Sequence, residues 1–172
     1  MKKVFSLLAA TLILLASGCE KQKTDSQKSA SLPEAFVSQI EVKHGENLMI
    51  AEFSQTSFGN GTGRVTKPES LSPLEMTFTD EKCIVNFNSL EFETDYTRFP
   101  QAEYCAIIVQ TLAYIGTGID IEKTVENGKL CYRGSCEHGV FTLRQNNSNG
   151  KLEELIIESA ELEVTFTKFE KV

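Results

Sequence analysis

Two histidines, five cysteines and a short acidic run are the groups in this 172-residue chain whose types and spacing could do chemistry. His138 closes the pattern Cys131-x₄-Cys136-x-His138. Thiolates and an imidazole at short spacing can ligate Zn²⁺ or Cu(I). The spacing is not that of a zinc finger and offers no fourth ligand, so no metal is assigned and metal binding stands as an alternative. Glu91, Glu93 and Asp95 could supply paired carboxylates for acid–base work if burial drove their pKa values apart. Glu91 and Glu93 are two residues apart, so on a strand they share one face, which is also the pattern of a solvated face. Gly59-Asn60-Gly61-Thr62-Gly63-Arg64 lacks the spacing and the Lys-Ser/Thr ending of a phosphate loop and reads as a β loop. Gly-x-Ser-x-Gly and Cys-x-x-Cys are both absent, so neither a serine-hydrolase elbow nor a thioredoxin-type redox site is present in the sequence.

The chain opens with Met1-Lys2-Lys3 and an uncharged apolar stretch from Val4 to Ala16. That stretch is too short for a spanning helix, which needs about 20 residues. It ends in Leu15-Ala16-Ser17-Gly18-Cys19, which resembles the lipobox of bacterial prolipoproteins, with Ala16 where Leu is usual and Leu15 one step earlier. The resemblance implies that residues 1–18 are a lipoprotein signal peptide. It also implies that Cys19 becomes the lipid-bearing first residue of the mature chain, acylated with palmitate-like chains. Glu20, in place of the aspartate linked with inner-membrane retention, points to a bacterial envelope protein anchored in the outer membrane and facing the periplasm.

Export frames the other cysteines. Four remain, an even number, which in an oxidising compartment reads as two disulfides. Cys131 and Cys136 enclose Tyr-Arg-Gly-Ser, a plausible tight turn, and pairing them leaves Cys83 with Cys105. Removing the leader takes away Lys2 and Lys3, leaving 15 basic against 24 acidic residues, a net charge of −9. No basic run appears, which argues against nucleic acid as a partner.

Residues 19–33 hold the anchor cysteine and a polar stretch too poor in apolar groups to fold alone. They read as a tether with a reach of about 20 Å, leaving residues 34–172 as a single globular domain. Ser31-Leu32-Pro33-Glu34 has capping-box spacing, and Phe36, Val37 and Ile40 then share a helical face, so a helix is expected over 32–43. Leu74, Met76 and Phe78 alternate with polar residues, as a strand requires. Pro100 and Glu103 open a second helix running to Ile115, with a buried strand as the alternative. Asn127-Gly128 and Asn149-Gly150 mark turns in a β-rich remainder. The expected fold class is α+β: an antiparallel β meander, an open half-barrel in outline, with one helix packed on it and a short N-terminal helix. That outline is similar, in element order alone, to periplasmic lipoprotein carriers.

The segment from Cys105 to Ile115 is apolar on more than one face, whereas a helix lying on one sheet needs a single apolar stripe. Ile107 and Tyr114 therefore mark a possible ligand or partner surface. The expected function is that of a non-catalytic, lipid-anchored binding module for an envelope protein or an apolar ligand, with no cofactor. A periplasmic hydrolase using carboxylates and a metal-binding lipoprotein are the alternatives. The anchor is directly testable. Cys19→Ala should leave the precursor uncleaved by the lipoprotein signal peptidase and abolish metabolic palmitate labelling; equal labelling of wild type and variant would contradict the assignment.

Overall fold

The structure, a computed structural model, describes residues 30–72, 74–79, 82–95 and 100–172. The leader 1–18, Cys19 and tether residues 20–29 lie outside the described residues. The architecture corrects the α+β expectation. Strand makes up 60% of the described residues and helix 17%, in one antiparallel sheet carrying a single α-helix. The strands are β1 (Phe36–His44), β2 (Asn47–Ser57), β3 (Asn60–Lys67), β4 (Glu75–Thr79), β5 (Lys82–Phe87) and β6 (Leu90–Thr94), followed by helix α1 (Pro100–Thr117). After the helix come β7 (Glu122–Glu126), β8 (Lys129–Cys136), β9 (Gly139–Asn146), β10 (Leu152–Ile157) and β11 (Leu162–Lys171). Their order in the sheet is β6-β5-β4-β3-β2-β1-β11-β10-β9-β8-β7.

The expected N-terminal helix is strand β1. Phe36 and Ile40 suit both a helical i,i+4 pair and a strand face, but Val42 continues the period of two, and Phe36, Ile40 and Val42 are all buried. Strand pairing with β2 and β11 on both sides decides the matter. The Ser31-Leu32-Pro33-Glu34 segment caps nothing. Two buried glutamines hold it: the Gln145 amide donates to the Ser31 carbonyl (3.0 Å) and the Gln55 amide donates to the Glu34 carbonyl (2.9 Å). Residues 31–33, read as tether, are thus fixed against one end of the sheet.

The stretch 100–117 is helical rather than a buried strand, and Gly118, in the left-handed region at φ +69°, ends it. No residue from Gln101 to Ile115 is exposed. Ile107, Ile108, Val109, Leu112 and Ile115 are all buried, each contributing roughly 1.5–3 kcal/mol. Helix α1 contacts β3 and β4 on one side and β8 on the other. Strands β4 and β8 stand seven places apart in the sheet, about 33 Å if it were flat. A helix with its side chains is only about 10–12 Å across. The sheet therefore curls around α1, leaving its edges β6 and β7 unpaired with each other.

Close approach on one side depends on glycine. Cys105 and Val109, one turn apart, sit on Gly63 and Gly61 of β3. A Cβ at Gly63 would stand 2.9 Å from Cys105 Sγ, and one at Gly61 would stand 2.8 Å from the Ser54 carbonyl oxygen. Both histidines hold the same helix. Tyr104 Oη and His44 Nδ1 share a 3.0 Å hydrogen bond, and His138 Nε2 donates to Gln110 Oε1 at 2.7 Å.

The four described cysteines carry no disulfide, and the strand geometry corrects the expected Cys131–Cys136 pair. Cys131 and Cys136 do not flank a turn: both lie on the continuous strand β8. Five residues of strand separate them by about 17 Å, whereas a disulfide tolerates Cα separations to about 7 Å. The odd spacing also turns them to opposite faces. Cys131 Sγ donates to Glu126 on the outer face (3.7 Å), while Cys136 Sγ lies 3.9 Å from Thr111 Oγ1 of the enclosed helix. Cys83 and Cys105 are both fully buried. Burial pushes the Cys83 thiol up to about 11 and the Cys105 thiol up to about 12, with Cys83 adding to the latter. Thiols held protonated in this way are poor nucleophiles.

The helix–glycine contact gives a stability test. Gly63→Ala should cost about 1–3 kcal/mol in urea unfolding, through overpacking. In a Cys105→Ala background, which removes the atom it strikes, the cost should be clearly smaller. Equal costs in both backgrounds would mean that α1 does not rest on Gly63.

Candidate functional site

Ala106, Val109, Gln110, Ala113 and Tyr114 follow one another at helical i, i+3, i+4, i+7 and i+8 spacing, and together they form the floor of a cavity of about 290 Å³. One wall comes from the β4–β5 hairpin, through Phe78, Thr79 and Lys82, with Gly59 of the β2–β3 turn at its end. The other side is Glu137 in the β8–β9 turn. The cavity exists because α1 carries small side chains, Ala106 and Ala113, where it faces the β4–β5 hairpin and the β8–β9 turn. Phe78, Val109 and the alanines make the interior apolar, and the polar and charged groups stand at the rim. Its volume is near the lower end for small-molecule sites, enough for one chain or one small ring system.

Of the two surface candidates from the sequence, Ile107 is buried with 7% exposure and serves as core. Tyr114 is half-buried, packs edge-on against Phe141 with ring centroids 6.1 Å apart, and lines the cavity. The proposed surface is thus brought to the cavity by one residue and not by the other. The residues that build the rest of it, Ala106, Ala113 and Phe78, were not singled out in the sequence. The available signal was two alanines seven apart on one face of an otherwise bulky helix.

The slot's rim has defined electrostatics. Lys82 Nζ is 3.1 Å from a Glu93 carboxylate oxygen. Glu137 is well exposed and lies 3.6 Å from His138 Nε2. Desolvation holds the His138 pKa below its usual value, against the opposing pull of Glu137 and Glu103.

The other chemical candidates do not assemble. Cys131 faces away from Cys136 and His138, so that trio cannot converge on one ion, and no cluster of metal-ligating side chains is present among the described residues. Glu91 and Glu93 share a face of the exposed edge strand β6, and Glu93 is paired with Lys82; neither lines the cavity. The Gly59–Arg64 segment is the β2–β3 turn and the start of β3, with backbone groups committed to the sheet.

Two further hollows lie elsewhere. One of about 390 Å³ sits among Glu52, Ser54, Thr62 and Arg64, whose side chains already pair with one another. Another of about 320 Å³ lies between the β1–β2 hairpin and the first turns of α1. Of the three hollows, the slot over Ala106–Tyr114 is the one that Tyr114 lines.

No family model and no curated protein matches the chain. Among solved structures, it is similar to an uncharacterized conserved protein from Thermus thermophilus, at TM-score 0.50 and 8% identity, covering 82% of this chain and 80% of that one. A LolA superfamily protein from Nitrosomonas europaea aligns at TM-score 0.47 and 9% identity over 85% of this chain and 90% of that one. A DUF1329 family protein from Desulfovibrio piger aligns at TM-score 0.45 and 8% identity over 81% of this chain and 86% of that one. The Thermus likeness shows a shared fold and nothing about activity.

Proposed function

We propose that this chain is an exported envelope lipoprotein, anchored through Cys19, whose curled sheet and helix hold a small apolar ligand without catalysing a reaction. The observation that carries the reading is the slot itself: an apolar cavity of about 290 Å³ between α1 and the β4–β5 hairpin, floored by Ala106 and Ala113. Concave, mostly apolar sites with a few polar rim groups are the usual form of small-ligand sites. The lipobox resemblance supplies the address and the anchor. A second reading, capture of a partner protein, is favoured by Leu90 and Phe92 on the edge strand β6, which are 68% and 43% exposed. An unpaired edge with apolar side chains can accept another strand.

Slot-filling variants test the primary reading. The uncharged fluorophore N-phenyl-1-naphthylamine should bind the wild-type domain. Ala106→Leu and Ala113→Phe place side-chain volume inside the slot and should each weaken that binding about tenfold, equivalent to roughly 1.4 kcal/mol. Val140→Ala, at an exposed position lining no described hollow, should leave it unchanged. If folded slot variants bind the fluorophore as well as wild type does, the slot is not the ligand site.

A further inference from the structure

The charges around the slot are not balanced, and their arrangement points to the ligand's head group. Lys82 is the one cation lining the cavity among the described residues. Its ammonium lies within 3.2 Å of both Glu93 carboxylate oxygens, so its charge is already matched. On the opposite rim Glu137 lies 3.6 Å from His138, whose charged form burial disfavours. A third carboxylate, Glu103, lies two turns before Gln110 on the same face of α1, close enough to act on His138. Lys82 and Glu93 cancel, leaving Glu137 as the carboxylate on the cavity lining that no Lys or Arg pairs with among the described residues.

We propose that the slot selects single-chain amphiphiles by head-group charge, taking cationic or uncharged heads and rejecting anionic ones. This rests on the slot being the ligand site. An alkyl chain lying along Ala106, Val109 and Ala113 against Phe78 must bring its head out at the rim, beside Glu137. An anionic carboxylate or phosphate head would meet like charge there, with its only nearby cation already engaged by Glu93. A quaternary ammonium head would meet the exposed Glu137 carboxylate, an arrangement that attracts cations.

Displacement of N-phenyl-1-naphthylamine by three decyl amphiphiles tests the proposal: decyltrimethylammonium, decyl maltoside and decanoate, each below its micelle concentration. At about 10 mM ionic strength the cation should displace the fluorophore about fivefold more effectively than the anion, with the maltoside between them. At about 0.5 M salt the difference should fall within twofold, because exposed charges are screened over a few ångströms. Glu137→Gln should narrow the low-salt difference while leaving the maltoside value unchanged. Equal or tighter binding of decanoate, with the maltoside still bound, would overturn the charge selection and leave the slot standing. So would a preference that survives both high salt and Glu137→Gln. Failure of all three amphiphiles to displace the fluorophore would overturn the selection and the slot reading together.

Discussion

A helix that is apolar around most of its circumference must be covered on more than one side, and a flat sheet covers only one. Helix α1 buries Cys105 and Val109 against β3, Ile108 and Leu112 in the core, and Thr111 beside Cys136 of β8. Strands β3 and β8 belong to opposite halves of the sheet order. Enclosing the helix therefore requires many strands and a strong curl, and the other features follow from that demand. Gly61 and Gly63 remove side chains where the helix presses closest. His44, at the end of β1, and His138, in the β8–β9 turn, reach in to hold Tyr104 and Gln110. The N-terminal segment, clasped by Gln55 and Gln145, stays against one end of the same sheet.

The slot is what this enclosure leaves incomplete. The slot lies between the β4–β5 hairpin and the β8–β9 turn, and there α1 presents alanines rather than large side chains. Two kinds of residue then share the region: apolar ones at the floor and along Phe78, and charged ones on the turns at the rim. The edges themselves are short and charged, with Glu91 and Glu93 on β6 and Glu122, Lys123 and Glu126 on β7. Such residues discourage edge-to-edge aggregation. On β7, Arg133 of the neighbouring strand donates to both Glu126 carboxylate oxygens, at 2.8 and 2.9 Å. These bonds, with one from Thr124, hold the Glu126 carboxyl down to about 2.

The legible parts of the sequence were those where one period excluded the other. Leu74, Met76 and Phe78 alternate and are all buried, and Asn127-Gly128 turns with both residues at positive φ. Phe36 and Ile40 satisfy both periods, and there tertiary pairing with β2 and β11 overrode the apparent capping box. Cys131 and Cys136 misled for a different reason. Gly134 between them suggested a turn, yet it lies inside β8, where a Cβ would stand 2.9 Å from the Phe141 ring. Close packing, not chain reversal, explains that glycine. Tyr114 lines the cavity while packing on Phe141, whereas Ile107, marked on the same ground, found its cover in the curl. The slot itself was hidden because a cavity is made by absent volume at Ala106 and Ala113, and hydrophobic periodicity does not register absence.

Photo-crosslinking tests most directly the claim that the open side of the enclosed helix is where an apolar ligand enters. An uncharged alkyl diazirine would be irradiated with the folded protein and the adducts located by peptide mass spectrometry. The account predicts adducts on Ala106–Tyr114 and on Phe78 and its neighbours in the β4–β5 hairpin, lost when decyl maltoside is added in excess. Adducts confined to Leu90 and Phe92 of the edge strand, or scattered over the outer face without competition, would contradict it.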